Sequence, residues 1–370
     1  MKLPHLGGLT AKQFFRDYWQ KKPLLIRQAF PHFSGLLTPD ELAGLACEED
    51  AQSRLVIFKQ GKWQLESGPF DETRFAKLPK KDWTLLVQEV NHFLPEAAAL
   101  LQQFNFVPTA RLDDLMVSFA PDGGGVGPHF DSYDVFLLQG MGKRLWRISD
   151  QQQQQLVEGA PLRILQHFES QQEWLLEAGD MLYLPPRYAH WGIAVGDCMT
   201  YSIGFRAPSV QELATQFLMH LQDTVALDGF YTDPDLLAQT HPAEISEQMV
   251  SKIDDVLKNV VWNKRDVSHF LGIYLTEPKA HVIFTPPRKI SLEKFVARLQ
   301  KEPIKLALQS LMLFEGDQVY INGLALQPKT DALIDLQKLA DTRVLHPMER
   351  YTEHLAELLY DWYQAGFLQF

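Results

Sequence analysis

The sequence predicts an α+β chain in which a small antiparallel double-sheet barrel, ending near Pro208, is followed by a mainly helical remainder. Three observations carry that prediction. Short apolar runs punctuated by Gly and Pro fill residues 112–206, which favours a closed antiparallel barrel over an α/β sheet. From Ser209 the apolar period becomes helical. Near the C-terminus, Asn322-Gly323 sits between β-prone runs, a strong hairpin signal.

Taken in order, Thr10 to Gln20 reads as a helix anchored by Phe14, Phe15 and Trp19, and Pro39 to Ala46 as a second. Leu24-Leu25-Ile26 and Leu55-Val56-Ile57-Phe58 are strand candidates. Leu115 to Phe119 is an apolar strand that runs into the glycine-rich Pro121-Asp122-Gly123-Gly124-Gly125-Val126-Gly127-Pro128, where tight bends and close backbone approach are allowed. Tyr133 to Gly140 and Arg144 to Ile148 read as a hairpin turned at Gly140 and Gly142. The glutamine run Gln151 to Gln155 is a low-complexity surface insert with no assigned role. Next come an acidic turn, Glu177-Ala178-Gly179-Asp180, and a short strand, Met181 to Leu184. Pro185-Pro186 then stops the ladder just before His190. Met199 to Arg206 supplies one more strand.

Within this frame His129 and Asp131 form a His-x-Asp pair. Strand side chains two residues apart project to the same face, so both can grip one ion. His190, delivered from a distant strand, completes a two-histidine, one-carboxylate face with open positions, the arrangement expected of non-heme Fe(II) oxygenases. The hairpin offers cations beside this face. Arg144 and Trp146 share one side of their strand and Lys143 and Arg147 the other, so an inward Trp146 carries Arg144 inward too.

Pro-His-x-Asp, a Gly-x-(Lys/Arg)-x-Trp hairpin and Gly-Asp-x-Leu-Tyr-x-Pro-Pro-x-x-x-His occur here in one order. That set resembles the JmjC branch of the cupin-type 2-oxoglutarate oxygenases, with a double-stranded β-helix (jelly-roll) as the implied catalytic fold. The Pro-x-Gly-Gly-Gly-Val-Gly-Pro-His lead and the N-terminal Phe15-x-x-x-Trp19-x-x-Lys22-Pro23-x-x-x-Arg27 are similar to the ribosomal oxygenases, the bacterial arginine hydroxylase in particular. The resemblance runs the whole chain. It implies Fe(II), 2-oxoglutarate and O2 as cofactor and co-substrates. It also implies hydroxylation of an arginine side chain in a basic large-subunit ribosomal protein, the one numbered sixteen.

On that reading Arg144 binds the distal carboxylate of 2-oxoglutarate, where many JmjC proteins have lysine, because guanidinium offers a planar fork. Ser118 is positioned to add a hydrogen bond. A guanidinium substrate calls for acceptors and an aromatic wall. Tyr133 lies on the Asp131 side of the strand, whereas Asp134 faces away and either reaches the substrate or caps a neighbouring loop. Ser202 and Arg206 follow His190 and are candidates for either a pocket or a structural role. Two other function classes stay open: an oxygenase of another residue or small molecule, and a cupin-like metal-binding protein without catalysis.

Composition narrows the setting. The 370 residues are 46% hydrophobic, enough for a sizeable core and two or three domains. Cys47 and Cys198 stand alone without a Cys-x-x-Cys pair, which points to a reducing cytoplasm. The N-terminus lacks a signal-peptide apolar region, and no run is long enough to span a membrane. A net charge of −11 argues against direct nucleic-acid binding and suits a basic protein partner.

In the second half, Ser209 and Glu212 form a capping-box signature ahead of the stripe Val210, Leu213, Phe217 and Leu221. A second stripe, Ile245, Met249, Ile253, Val256, Leu257 and Val260, starts from Pro242. The resemblance places a helical dimerisation module here, hence a homodimer. Leu292 to Leu299, the strands around Gly316 and Asn322-Gly323, and a helix from Tyr351 to Ala365 resemble a winged helix. Its acidic residues outnumber its basic ones, which favours a scaffold or protein contact over DNA. The expected division is 1–208 catalytic, 209–289 dimerisation and 290–370 winged-helix-like.

Overall fold

The computed structural model describes residues 2–370. The catalytic unit contains β1 (Leu24–Ile26), β2 (Ser53–Lys59), β3 (Lys62–Ser67), β4 (Trp83–Val87), β5 (Leu112–Ala120) and β6 (Val135–Gln139). It continues through β7 (Lys143–Ser149), β8 (Gln172–Glu177), β9 (Met181–Leu184), β10 (Ala189–Val195) and β11 (Cys198–Phe205). Eight of these strands form one sheet in the order β1-β9-β6-β11-β5-β4-β2-β3. The remaining three, β10-β7-β8, form the facing sheet. Every pairing in both sheets is antiparallel.

Strand alternation divides the large sheet between two cores. Val135, Leu137, Leu182 and Leu184 point between the sheets and meet Trp146, Ile148 and Leu176 of the small one. Their neighbours Phe136, Leu138, Met181 and Tyr183 point outward, under the helices α1 (Ala11–Asp17), α2 (Pro39–Leu45), α3 (Glu72–Phe75) and α4 (Pro95–Gln102). The outward core is built on rings. Phe136 lies 4.9 Å from Tyr183 and 5.0 Å from Phe104, spacings at which each aromatic pair adds about 1 kcal/mol beyond burial. Helix α1 ends at Asp17, earlier than the sequence pattern suggests, because Trp19 leaves the helix to stack on Tyr183.

Beyond the barrel, α5 (Val210–Thr224) begins at the expected capping box, with Ser209 and Glu212 reciprocally bonded. Next comes α6 (Glu247–Leu257), capped by Ser246, so Ile245 and Val260 of the anticipated stripe fall outside it. The helix start is set by that serine, whose side chain accepts from the Met249 amide, not by Pro242. A further helix, α7 (Lys264–Thr276), follows, capped by Asn263. It packs on the hairpin of the last unit, where the Gly323 amide donates to Thr276 Oγ1 at 3.0 Å, so it lies with that unit although it precedes residue 290.

The C-terminal unit then runs α8 (Leu292–Leu299), β12 (Ile304–Leu306), β13 (Met312–Glu315), β14 (Gln318–Ile321), β15 (Leu324–Leu326), α9 (Thr330–Thr342), β16 (Val344–Leu345), α10 (Glu353–Gln364) and β17 (Leu368–Gln369). Phe295, Leu336, Leu359 and Trp362 are among the residues that form its own core. No helix among the described residues is long and apolar enough to cross a membrane.

Candidate active site

The glycine-rich lead brings the His-x-Asp segment against β10. A Cβ on Gly125 would collide with the Gly192 carbonyl, and Gly127, at φ +82°, would press on Trp63 and Ile164. His129 and His190 consequently pair as a two-residue bridge, N to O at 2.9 and 2.7 Å, which sets their rings 4.2 Å apart. Asp131 completes the group: one ligand atom from each of the three residues lies within 4.8 Å of the others.

Each imidazole is oriented through its other nitrogen. His129 Nδ1 is 2.9 Å from the Gly127 carbonyl, and His190 Nδ1 is 2.9 Å from that of Tyr188. A carbonyl can only accept, so Nδ1 carries the proton and Nε2 keeps its lone pair for a metal. Burial and the neighbouring His129 push His190 down to about 4, so it is the neutral base a divalent cation requires.

Arg144 lies on β7 with Trp146, both buried between the sheets and facing one cavity of about 430 Å³ that also reaches His129, Asp131 and His190. Lys143 and Arg147 point the other way and pair with Glu177 and Glu173 of β8. The Arg144 guanidinium stands 5.7 Å over the Trp146 ring, and its Nε and Nη2 have no hydrogen-bond partner among the described residues. An unpaired buried cation is costly, and a dicarboxylate bound here would remove that cost. The residues present therefore fit both a divalent metal and 2-oxoglutarate.

Ser118 and Ser202, both buried, line the same cavity, as do Met116 and Tyr133. Tyr133 is part-exposed at the cavity's edge, and desolvation of its hydroxyl, with the nearby Asp131 charge, raises it above its ordinary range. Arg206 lies outside this cavity. Its side chain donates to the Leu275 carbonyl and approaches Asp113 at 3.6 Å, tying the end of β11 to α7.

The substrate role considered for Asp134 is corrected. Its side chain points into the outer core, accepting from the Tyr183 hydroxyl at 2.5 Å and from Gln20 Nε2 at 2.9 Å. It is a structural acceptor, fully buried on the far side of the sheet. We expect Asp134→Ala to cost about 2 kcal/mol of stability by orphaning those donors, read from the urea midpoint, with turnover per folded molecule unchanged.

Two features of the cavity are not announced by the sequence. Asp113 and Asp114 both line it because β5 bulges there: Leu115 faces Ile203 and Leu112 faces Phe205, leaving the two aspartates opposite Gly204 alone. Asp114 is buried, and desolvation together with Asp113 lifts its carboxyl to about 6. The insert after the glutamine run folds back as well, with the Leu165 amide donating to the Pro128 carbonyl, so that Leu162, Arg163 and Ile164 wall the metal end.

An antiparallel double sheet with a His–Asp–His face and a buried arginine beside it defines the class, a 2-oxoglutarate oxygenase of the JmjC type. Residues 99–213 match the JmjC domain family, and residues 259–369 match the ROXA-like winged helix. The chain is 36% identical over 332 residues to the ribosomal protein uL16 3-hydroxylase of Escherichia coli, covering 88% of each. It is 38% identical over 256 residues to a probable ribosomal oxygenase of Haemophilus influenzae, covering 67% of this chain and 61% of that one. The E. coli ribosomal oxygenase YcfD in complex with cobalt and 2-oxoglutarate superposes with a TM-score of 0.83 at 33% identity over 98% of both chains. The chain belongs to the ribosomal oxygenase family.

Proposed function

We propose that this enzyme hydroxylates an arginine side chain of ribosomal protein uL16, with His129, Asp131 and His190 holding Fe(II) and Arg144 and Ser118 holding the distal carboxylate of 2-oxoglutarate. The observation that carries the substrate class is the acidic, aromatic mouth of the cavity. Asp113 and Asp114 offer acceptors for the five guanidinium donors, and Tyr133 and Met116 offer flat and flexible apolar walls. Ser202 lies on the same wall as a further polar contact.

Iron with 2-oxoglutarate and O2 supplies the oxidising chemistry that replaces an unactivated C–H by C–OH. The chain's own residues bind, orient and shield. The two Nδ1–H bonds fix both imidazoles before metal arrives, Arg144 with Trp146 orients the co-substrate from one side, and the 162–164 wall keeps water from the reacting carbon. No side-chain nucleophile is called for. Purified protein loaded with Fe(II) should release succinate from 2-oxoglutarate faster when uL16 is added. Equal rates with and without uL16 would count against this substrate.

The helices after the barrel support a homodimer. On α6, Met249, Ile253 and Val256 form one exposed apolar stripe, and none of its residues is buried in the single chain. Light scattering is expected to give twice the chain mass at micromolar concentration, and a Met249→Asp, Val256→Asp variant is expected to fall to a monomer. Cys47 and Cys198 are unpaired, which suits the reducing cytoplasm where a ribosomal protein would be met.

A further inference from the structure

The segment that follows α7 reaches back from the winged-helix unit to the catalytic sheet and ends in an ion-pair cluster. Lys279 Nζ lies 2.7 Å from Glu89 Oε1 and 3.1 Å from Asp113 Oδ1. His281 Nε2 lies 2.5 Å from the other Glu89 oxygen, and its Nδ1 meets the Gln52 side chain at 3.0 Å. Glu89 is buried and holds φ at +54°, a left-handed conformation that is costly for a residue with a side chain. That conformation turns its amide onto Asp114 Oδ2 at 3.1 Å.

These contacts bear on substrate because of where the two aspartates stand. Asp113 lines the active-site cavity, the cleft outside it and the cavity between the two units. The neighbouring Asp114 lines the active-site cavity. Three carboxylates, Glu89, Asp113 and Asp114, crowd one partly desolvated corner, where like charges repel one another unless a cation stands between them. Lys279 is the cation placed between two of them, and Arg206 approaches the same Asp113 oxygen at 3.6 Å. Lys279 is also anchored, since Thr276 just before it is bonded to Gly323 of the winged-helix hairpin.

We propose that Lys279, supplied by the winged-helix unit, is a positioning residue for substrate binding: it holds Asp113 directly, and Asp114 through Glu89, in the arrangement that receives a cationic side chain. This rests on the reading of an arginine-bearing substrate. The C-terminal unit thereby completes the specificity end of the site without touching the metal or the co-substrate.

Two measurements on the full-length protein test it. Hydrogen exchange needs no substrate. The Glu89 amide, bonded to Asp114, should exchange faster in Lys279→Met than in the wild type, and unchanged protection there overturns the proposal. Steady-state kinetics with E. coli uL16 should show KM raised about tenfold with kcat within about twofold, inside the range of roughly 5–150-fold for one coupling between sites. Lys279→Arg, which keeps the cation, should restore KM. Equal KM in Lys279→Met and wild type overturns the proposal, and so does a loss confined to kcat. If the wild type modifies no uL16, the substrate reading fails and exchange at Glu89 decides the positioning role by itself.

Discussion

His129→Ala protein is expected to release no succinate from 2-oxoglutarate while remaining folded. The imidazole supplies one of three ligand atoms, and the two that remain are a carboxylate and one histidine, a set that holds a divalent ion poorly at micromolar metal. Losing even a residue that merely orients a ligand costs roughly 10–100-fold in metal affinity or activity, so losing the ligand itself should exceed that. Iron retained after desalting, measured with succinate release, checks both halves. The fold should survive, because the His129–His190 bridge is made by backbone atoms that alanine keeps. Full iron-dependent succinate release by this variant would remove His129 from the metal site.

Arg144→Met should raise KM for 2-oxoglutarate about 100-fold. A charge-assisted hydrogen bond contributes roughly 1.5–3 kcal/mol, a forked pair about 3 kcal/mol or more, and each 1.4 kcal/mol is about tenfold. Arg144→Lys keeps the charge and loses the fork, so about tenfold is expected. Stability should move in the opposite sense. The wild-type guanidinium is buried with two nitrogens unpartnered among the described residues, and replacing such a charge by an apolar side chain of similar length is often neutral or stabilising. A thermal scan without co-substrate is therefore expected to show a melting temperature equal to or above the wild type. A lower melting temperature with KM unchanged would make Arg144 structural.

The parts of this site that strand parity governs were legible in the sequence. Arg144 and Trp146 face inward with Lys143 and Arg147 outward because β7 is regular and paired on both sides from Lys143 to Ile148. Asp134, just before β6, turns away from the cavity that Val135 faces, whereas Tyr133 reaches the cavity from a bend at 132–133 and not from a regular strand. The acidic mouth was not legible because it depends on a break in parity: two adjacent aspartates reach one cavity at a bulge, and no local pattern in Leu112-Asp113-Asp114-Leu115 announces it.

Long-range placement was the other gap. The glutamine run Gln151 to Gln155 reads as a surface insert, yet the residues after it return to wall the metal end, with a backbone bond from Leu165 to Pro128. The helix α7 was invisible as part of the last unit because its partner surface, the β13 to β15 sheet, lies dozens of positions downstream. Lys279 and His281 follow that helix, so their meeting with Glu89 could not be foreseen either. In contrast, the capping box at Ser209 and Glu212 is local chemistry legible in the sequence, and the structure makes the same device at Thr10 and Thr38.

The His129, Asp131, His190 and Arg144 constellation is expected to oxidise an arginine brought in by uL16. Tandem mass spectrometry of E. coli uL16 after incubation with this protein, Fe(II), 2-oxoglutarate and air tests it most directly. The expected result is a gain of one oxygen atom on an arginine side chain, with succinate formed in step and both lost in His129→Ala. An unmodified uL16, or an oxygen placed on a residue other than arginine, would contradict the account.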